Sequence, residues 1–285
     1  MIFTRKFVPA AQSLQVLERW RICMKLSVSN IAWTKEYDEE MYGFLHAEKI
    51  EGLEIAPTRI FPDNPYKKNR EAAEFADRLK EKYNLVIPSM QSIWFGRTEN
   101  IFTSVEERKA LLDYTKKAID FASAIGCENL VFGCPRNRSF AEGADTKLAI
   151  PFFEELGDYA YNKNTVLSME ANPPIYNTNY CNTTLEAVEL VKTVGSKGFL
   201  INLDFGTMIQ NDEDMRVVEA ARQWLNHVHI SEPGLALVEN RTAHRELARY
   251  LKEIDYDRFV SLEIKTQEDI QNVKDAMHYL QDVFL

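Results

Sequence analysis

The chain has no Cys-x-x-Cys pair, no apolar run approaching the ~20 residues that span a bilayer, and no excess of positive charge. Each absence removes a class of protein. Its four cysteines, Cys23, Cys127, Cys134 and Cys181, are far apart, so neither a thiolate metal knuckle nor a disulfide framework is expected, and a reducing, cytoplasmic setting fits. A formal charge of −9 argues against a surface that neutralises phosphates, so neither nucleic acid nor a membrane is expected as a partner. Neither G-x-G-x-x-G nor G-x-x-x-x-G-K-[ST] occurs, which disfavours an open, nucleotide-binding sheet. No linker or low-complexity stretch interrupts the chain from Met24 onward, and 45% apolar residues over 285 positions supply material for one large core.

What is present is a regular alternation. Strands are expected at Lys25 to Ser29, Gly52 to Ile55, Leu85 to Ser89, Asn129 to Phe132, Val166 to Glu170, Phe199 to Asp204, Asn226 to His229 and Phe259 to Glu263. The intervals suit βα units. Between them lie helices with readable ends. Ser104 and Glu107, and Thr183 and Glu186, have the spacing of capping boxes, Gly126 is a stop, and Thr266 is expected to cap a last helix whose apolar face carries Ile270, Val273, Ala276, Met277 and Leu280. Eight strands without a phosphate turn predict an α/β fold, a single (β/α)8 barrel over residues 24–285, with active residues at the C-terminal strand ends. Residues 1–23 form an N-terminal extension, either one helix with Leu14, Leu17 and Trp20 on a face or disordered chain.

Four apolar runs, TVLSME, FLINLD, LNHVH and FVSLE, close on Glu170, Asp204, His229 and Glu263. A carboxylate at the end of a buried strand requires a partner or a metal. One acidic strand end alone is more often a helix cap, and one histidine more often a satisfied core residue, but four at successive strand ends point to a site. Three carboxylates and one imidazole suit a single divalent ion, with Mn²⁺, Mg²⁺ or Co²⁺ ahead of Zn²⁺.

Ser168-Met-Glu-Ala-Asn172, Asn202-Leu-Asp-Phe-Gly206, His227-Val-His-Ile-Ser231 and Ser261-Leu-Glu263 resemble the motifs of the xylose isomerase-like barrels, which include the ketose 3-epimerases. The resemblance runs from Met24 to Leu285. It implies that Glu170, Asp204, His229 and Glu263 bind one metal, that Glu170 and Glu263 are catalytic and move protons, and that the substrate is a small sugar or polyol. Activity would then be isomerisation or epimerisation through an enediolate. A dehydratase of a keto-polyol, similar to the inosose dehydratases, is the alternative, and a non-catalytic binding barrel is a weaker one. The repair endonucleases of similar fold use many histidines, whereas this chain has five. Family members are often dimers or tetramers, so a homodimer or homotetramer is expected.

Two positions depart from the family pattern: Thr207 stands where a histidine is common, and Leu235 where an arginine is common. Thr207 is therefore expected to touch a differently posed substrate. Glu54 and Gln91 either bond substrate hydroxyls or cap loops. Trp33 and Trp94 either wall the pocket or pack in the core. Asn172 is placed to hold substrate or a ligand, and His244 to reach the site from a lid. Arg136, Arg138 and Lys265 either meet a phosphate or are solvated. His46 and His278, on helix faces, receive no role.

Overall fold

The computed structural model describes residues 24–285. The expected N-terminal helix or disordered segment, and Cys23, lie outside the described residues. The strands are β1 (Lys25–Ser29), β2 (Gly52–Glu54), β3 (Ser89–Met90), β4 (Asn129–Phe132), β5 (Val166–Glu170), β6 (Phe199–Asp204), β7 (Leu225–Ile230) and β8 (Phe259–Leu262). All pairings are parallel, in the order β2-β1-β8-β7-β6-β5-β4-β3. Isolated bridges from Gly52 to Val86 and from Ile55 to Met90 bring β2 against β3, so the sheet closes into a barrel. The seam is where the strand expectations moved most; β2 and β8 each end one residue earlier than expected, and β7 is one residue longer at each end. Leu85 to Ser89 is not a continuous strand, because Pro88 has no N–H for a ladder, and regular pairing begins only at Ser89.

Around the sheet run α1 (Asp38–Ala47), α2 (Pro57–Ile60), α3 (Asn69–Tyr83), α4 (Val105–Ala124), α5 (Ala149–Asn162), α6 (Thr184–Val194), α7 (Phe205–Gln210), α8 (Arg216–Ala221), α9 (Thr242–Glu253) and α10 (Ile270–Phe284). Four of them, α4, α6, α7 and α10, open on a side-chain acceptor. Thr183 and Glu186 form a full capping box on α6. Ser104 Oγ accepts from Glu107 N–H at 3.1 Å to open α4, but the Glu107 carboxylate turns to Asn100 N–H instead of completing the box. Thr266 does not cap α10. Its hydroxyl donates to the Ile31 carbonyl at 2.8 Å, and Asp269 caps the helix by accepting from Gln271 N–H at 2.9 Å. The apolar face of α10 is buried as expected, Val273, Met277 and Leu280 completely.

The core between sheet and helices is one continuous cluster. Each fully buried leucine in it contributes about 1.5–3 kcal/mol. The barrel axis is more polar. Inward positions of a strand recur every second residue, and here they carry Ser168 and Glu170, Asn202 and Asp204, His227 and His229, and Ser261 and Glu263. The lower layer is hydrogen-bonded across the barrel: Ser168 Oγ and Asn226 Nδ2 both donate to Asn129 Oδ1, whose amide donates to Ser89 Oγ at 2.9 Å. The upper layer is the candidate site.

Candidate active site

Strand register puts the upper layer together. Glu170 pairs with Asn202, Asp204 with His229, and His229 with Ser261. Between Ile201 and Asn202 the pairing with β7 shifts by one residue. Without that bulge Asp204 would face Val228, and both histidines would point at the helices; with it they point inward. Donor atoms of Glu170, Asp204, His229 and Glu263 then all lie within 4.8 Å of one another, every one on a buried residue. Donors sharing one small dication through bonds of about 2–2.5 Å stand at most roughly 4–5 Å apart, so the four residues have the spread of a single coordination sphere.

Each donor is oriented by neighbours. His229 Nε2 is 2.9 Å from Glu54 Oε2, which directs Nδ1 to the other side of the ring, 3.0 Å from Glu170 Oε1 and 3.2 Å from Glu263 Oε2. Nδ1 makes no hydrogen bond there although it is buried. A lone pair aimed at two carboxylates fits a cation between them. Asp204 accepts from Thr207 N–H at 2.9 Å, from the Thr207 hydroxyl at 2.7 Å, and from Ser231 Oγ. The closeness of Ser231 requires Gly206 beside it, since a Cβ there would stand 2.4 Å from Ser231 Oγ. Glu170 accepts from Asn202 Nδ2 on Oε1 at 2.7 Å and from Asn172 Nδ2 on Oε2 at 3.0 Å.

The electrostatics also ask for a cation. Burial raises the Glu263 carboxyl to about 7, with the Glu170 and Asp204 charges adding to the effect and His229 opposing it. Burial and the Glu170 charge raise Asp204. Burial disfavours a charged imidazole at His229, yet the Glu54 and Glu263 charges outweigh it and push His229 well above its ordinary range. Within the protein alone a proton is drawn to the centre of the cluster, and a dication suits the same place. At Glu54 burial alone would favour the neutral acid, but His229 and His227 overcome it and hold the carboxyl well below the usual range.

The cluster opens on a cavity of about 170 Å³. Glu170, Asp204 and Glu263 line it, as do Gln91, Asn172 and Tyr176, while Val131, Cys134, Pro135 and Leu235 give it an apolar side. Tyr176, from the loop after β5, accepts a hydrogen bond from Gly234 N–H in the loop after β7 at 2.9 Å, so two loops are clasped beside the opening. Burial, with the nearby carboxylates, pushes its phenol up to about 12. It therefore stays neutral at physiological pH.

Several expected substrate contacts lie elsewhere. Trp33 and Trp94 are buried and absent from the cavity lining; their indole N–H groups find partners in Asp38 Oδ1 at 2.9 Å and Thr115 Oγ1 at 2.8 Å, which lets both rings pack in the core. Thr207 is spent on Asp204 and the Ala171 carbonyl. His244 is not on a lid: it is fully buried in α9, packed on Phe205 and 3.0 Å from Tyr279 Oη. Glu54 faces His229 and receives a hydrogen bond from Gln91 Nε2 at 3.3 Å, so it lies behind the ring and outside the cavity. Lys265 and Arg136 are exposed and outside the lining, and Arg138 is turned into the core. Gln91 and Asn172 do reach the cavity. Asn202, Ser231 and Tyr176 were not singled out from sequence, although an asparagine inside the apolar run FLINLD is itself a signal.

Residues 44–283 match the model of the xylose isomerase-like TIM barrel family. No curated protein sequence matches the chain. Among solved structures, D-psicose 3-epimerase from Clostridium cellulolyticum H10, determined with D-tagatose, superposes with a TM-score of 0.75 at 15% identity, covering 92% of this chain and 99% of the other. The 3-keto-D-glucoside 4-epimerase of E. coli gives 0.71 at 18% identity, covering 91% and 99%. A probable 3-DHS dehydratase from Bacillus anthracis gives 0.67 at 19% identity, covering 90% and 99%. At these identities the likeness is one of fold.

Proposed function

The chain belongs to the xylose isomerase-like TIM barrel family, and on that premise we propose that it is a divalent-cation-dependent isomerase or epimerase of an unphosphorylated sugar or related polyol. The observation that carries the proposal is the convergence of Glu170, Asp204 and Glu263 on His229 Nδ1, which is buried and makes no hydrogen bond. Oxygen donors with one imidazole favour Mn²⁺, Mg²⁺ or Co²⁺. A cation held there would supply Lewis acidity to a hydroxy-ketone, making the carbon-bound proton beside its carbonyl removable.

The protein's own groups do the rest. Glu170 at the end of β5 and Glu263 just past β8 both line the cavity, so one removes the carbon-bound proton and the other returns it. Return to the opposite face of the same carbon is epimerisation, and return to the neighbouring carbon, with the hydroxyl proton passing to the former carbonyl oxygen, is isomerisation. Gln91, Asn172 and Tyr176 are the hydroxyl partners on the cavity wall. Among the described residues no lysine or arginine lines the cavity, so a phosphate dianion would meet three carboxylates without a side-chain cation from them. Leu235, Val131 and Pro135 suit C–H faces.

The test is a panel of free ketoses, ketose phosphates and inososes in D₂O with Mn²⁺, followed by NMR for deuterium uptake. Exchange into a free ketose, lost in Glu170→Gln and in Glu263→Gln, is the expected result. Full turnover in both variants contradicts the proposal, and loss of water from the substrate in place of exchange assigns the site to dehydration.

A further inference from the structure

We propose that Arg138 is a positioning residue for Glu170 and acts through the side chain of Asn172. The inference rests on Glu170 being a cation ligand. Arg138 ends the 3-10 turn Pro135–Arg138 after β4 and is fully buried. Its side chain bonds only neutral groups: Nη1 to Met169 Sδ at 3.0 Å, and Nη2 to the Glu170 carbonyl at 3.0 Å and to Asn172 Oδ1 at 2.7 Å, with Nε unpaired. A buried guanidinium without a hydrogen-bonded carboxylate is costly, and an apolar side chain of similar length would fill the same space without that cost.

What the guanidinium does that an apolar chain cannot is orient an amide. An asparagine side chain fits its density of contacts almost equally well in two orientations related by a half-turn, and its neighbours decide between them. A guanidinium has no acceptor, so it admits only Oδ1. Asn172 Nδ2 must then face the other way, where it donates to Glu170 Oε2 at 3.0 Å. With Asn202 Nδ2 on Oε1 at 2.7 Å, both oxygens of Glu170 are held from opposite sides. The backbone of Asn172 is fixed independently, by Asn182 Nδ2 at its carbonyl and by its own N–H to the Cys181 carbonyl. The remaining freedom lies in the amide, and Arg138 removes it.

The same loop makes room for the arrangement. A Cβ on Gly133 would stand 2.8 Å from Glu170 Oε2 and 3.4 Å from Asn172 Oδ1. The turn after β4 thus both vacates the space that Glu170 occupies and supplies the charge that orients its partner. Without the guanidinium, a flipped Asn172 would present Oδ1 to Glu170 Oε2, acceptor against acceptor, and the carboxylate would swing away from the cation.

The experiment is calorimetric titration of the full chain with Mn²⁺, together with the EPR signal of the bound ion, for wild type, Arg138→Met, Asn172→Leu and the double variant. Supporting partners of metal ligands typically change affinity by about 10- to 100-fold. Arg138→Met and Asn172→Leu should each weaken Mn²⁺ within that range and alter the EPR signal. The double variant should be no weaker than Asn172→Leu alone, because the two residues act in series. Unchanged affinity and signal in Arg138→Met, or losses that add in the double variant, overturn the proposal. If Arg138→Met does not fold, Asn172→Leu still decides, since it keeps the guanidinium, and unchanged affinity there overturns it equally. Failure of wild type to bind Mn²⁺ is a separate result that removes the cation reading itself.

Discussion

Glu54 Oε2 and His229 Nε2 lie 2.9 Å apart with both side chains fully buried, so the nitrogen of the ring that faces away from the other carboxylates is chosen by a carboxylate three strands away. The interaction fixes the ring's orientation and leaves Nδ1 for the proposed cation site. Glu54→Gln keeps the size of the side chain but removes the charge that binds the Nε2 proton. It should weaken Mn²⁺ affinity by about 10- to 100-fold in a calorimetric titration.

Gly133 contributes by what it lacks. Gly133→Ala would place a methyl 2.8 Å from Glu170 Oε2 and force the carboxylate to move. Turnover should fall at least about tenfold, the scale on which small misplacements of a reacting group are felt, while the melting temperature shifts only slightly. Steady-state kinetics beside a thermal melt checks both.

Burial of His244 predicts an acid sensitivity of the fold that is separate from the proposed cation site. Burial pushes its imidazole down to about 4 from 6.5, with Arg241 adding and Glu232 opposing. Phe205 and Tyr279 are the rings packed on it. Between those two pH values the unfolded chain binds a proton at this residue that the folded chain does not, so the contribution of His244 to stability falls as pH falls and is flat above about 6.5. The full loss by pH 4 is on the order of 3 kcal/mol. Denaturant melts at pH 7 and pH 4 should show a smaller drop for His244→Gln than for wild type.

Tyr176→Phe removes the acceptor of the Gly234 N–H and opens the clasp between the loops after β5 and β7. The apparent KM should rise several-fold with kcat little changed, since the hydroxyl holds the opening and carries no proton in the reaction. Initial rates across a substrate range separate the two.

Much of this was written in short sequence patterns. Ser168-Met-Glu170, Asn202-Leu-Asp204, His227-Val-His229 and Ser261-Leu-Glu263 each place two polar side chains two residues apart in an apolar strand, which a barrel interior alone explains. Other features leave no local trace. The shift between β6 and β7 that turns His227 and His229 inward is a property of pairing, and no residue marks it. Trp33 and Trp94 follow strand ends, where a ring can turn to the cavity or to the core, and the choice was made by distant acceptors, Asp38 and Thr115, for their N–H groups. Thr266 lost the cap of α10 because Ile31 offered its hydroxyl a carbonyl. Arg138 looked like a solvated loop residue because nothing nearby in sequence announces that Asn172, 34 positions on, would bury it.

The most direct test of the central claim is solvent deuterium exchange into a free ketose as Mn²⁺ is titrated into chelator-treated protein. One cation gripped by Glu170, Asp204, His229 and Glu263 predicts exchange that is absent at the start, rises in proportion to added metal and levels off at one equivalent per chain. Exchange that proceeds at full rate in the presence of excess chelator would contradict it.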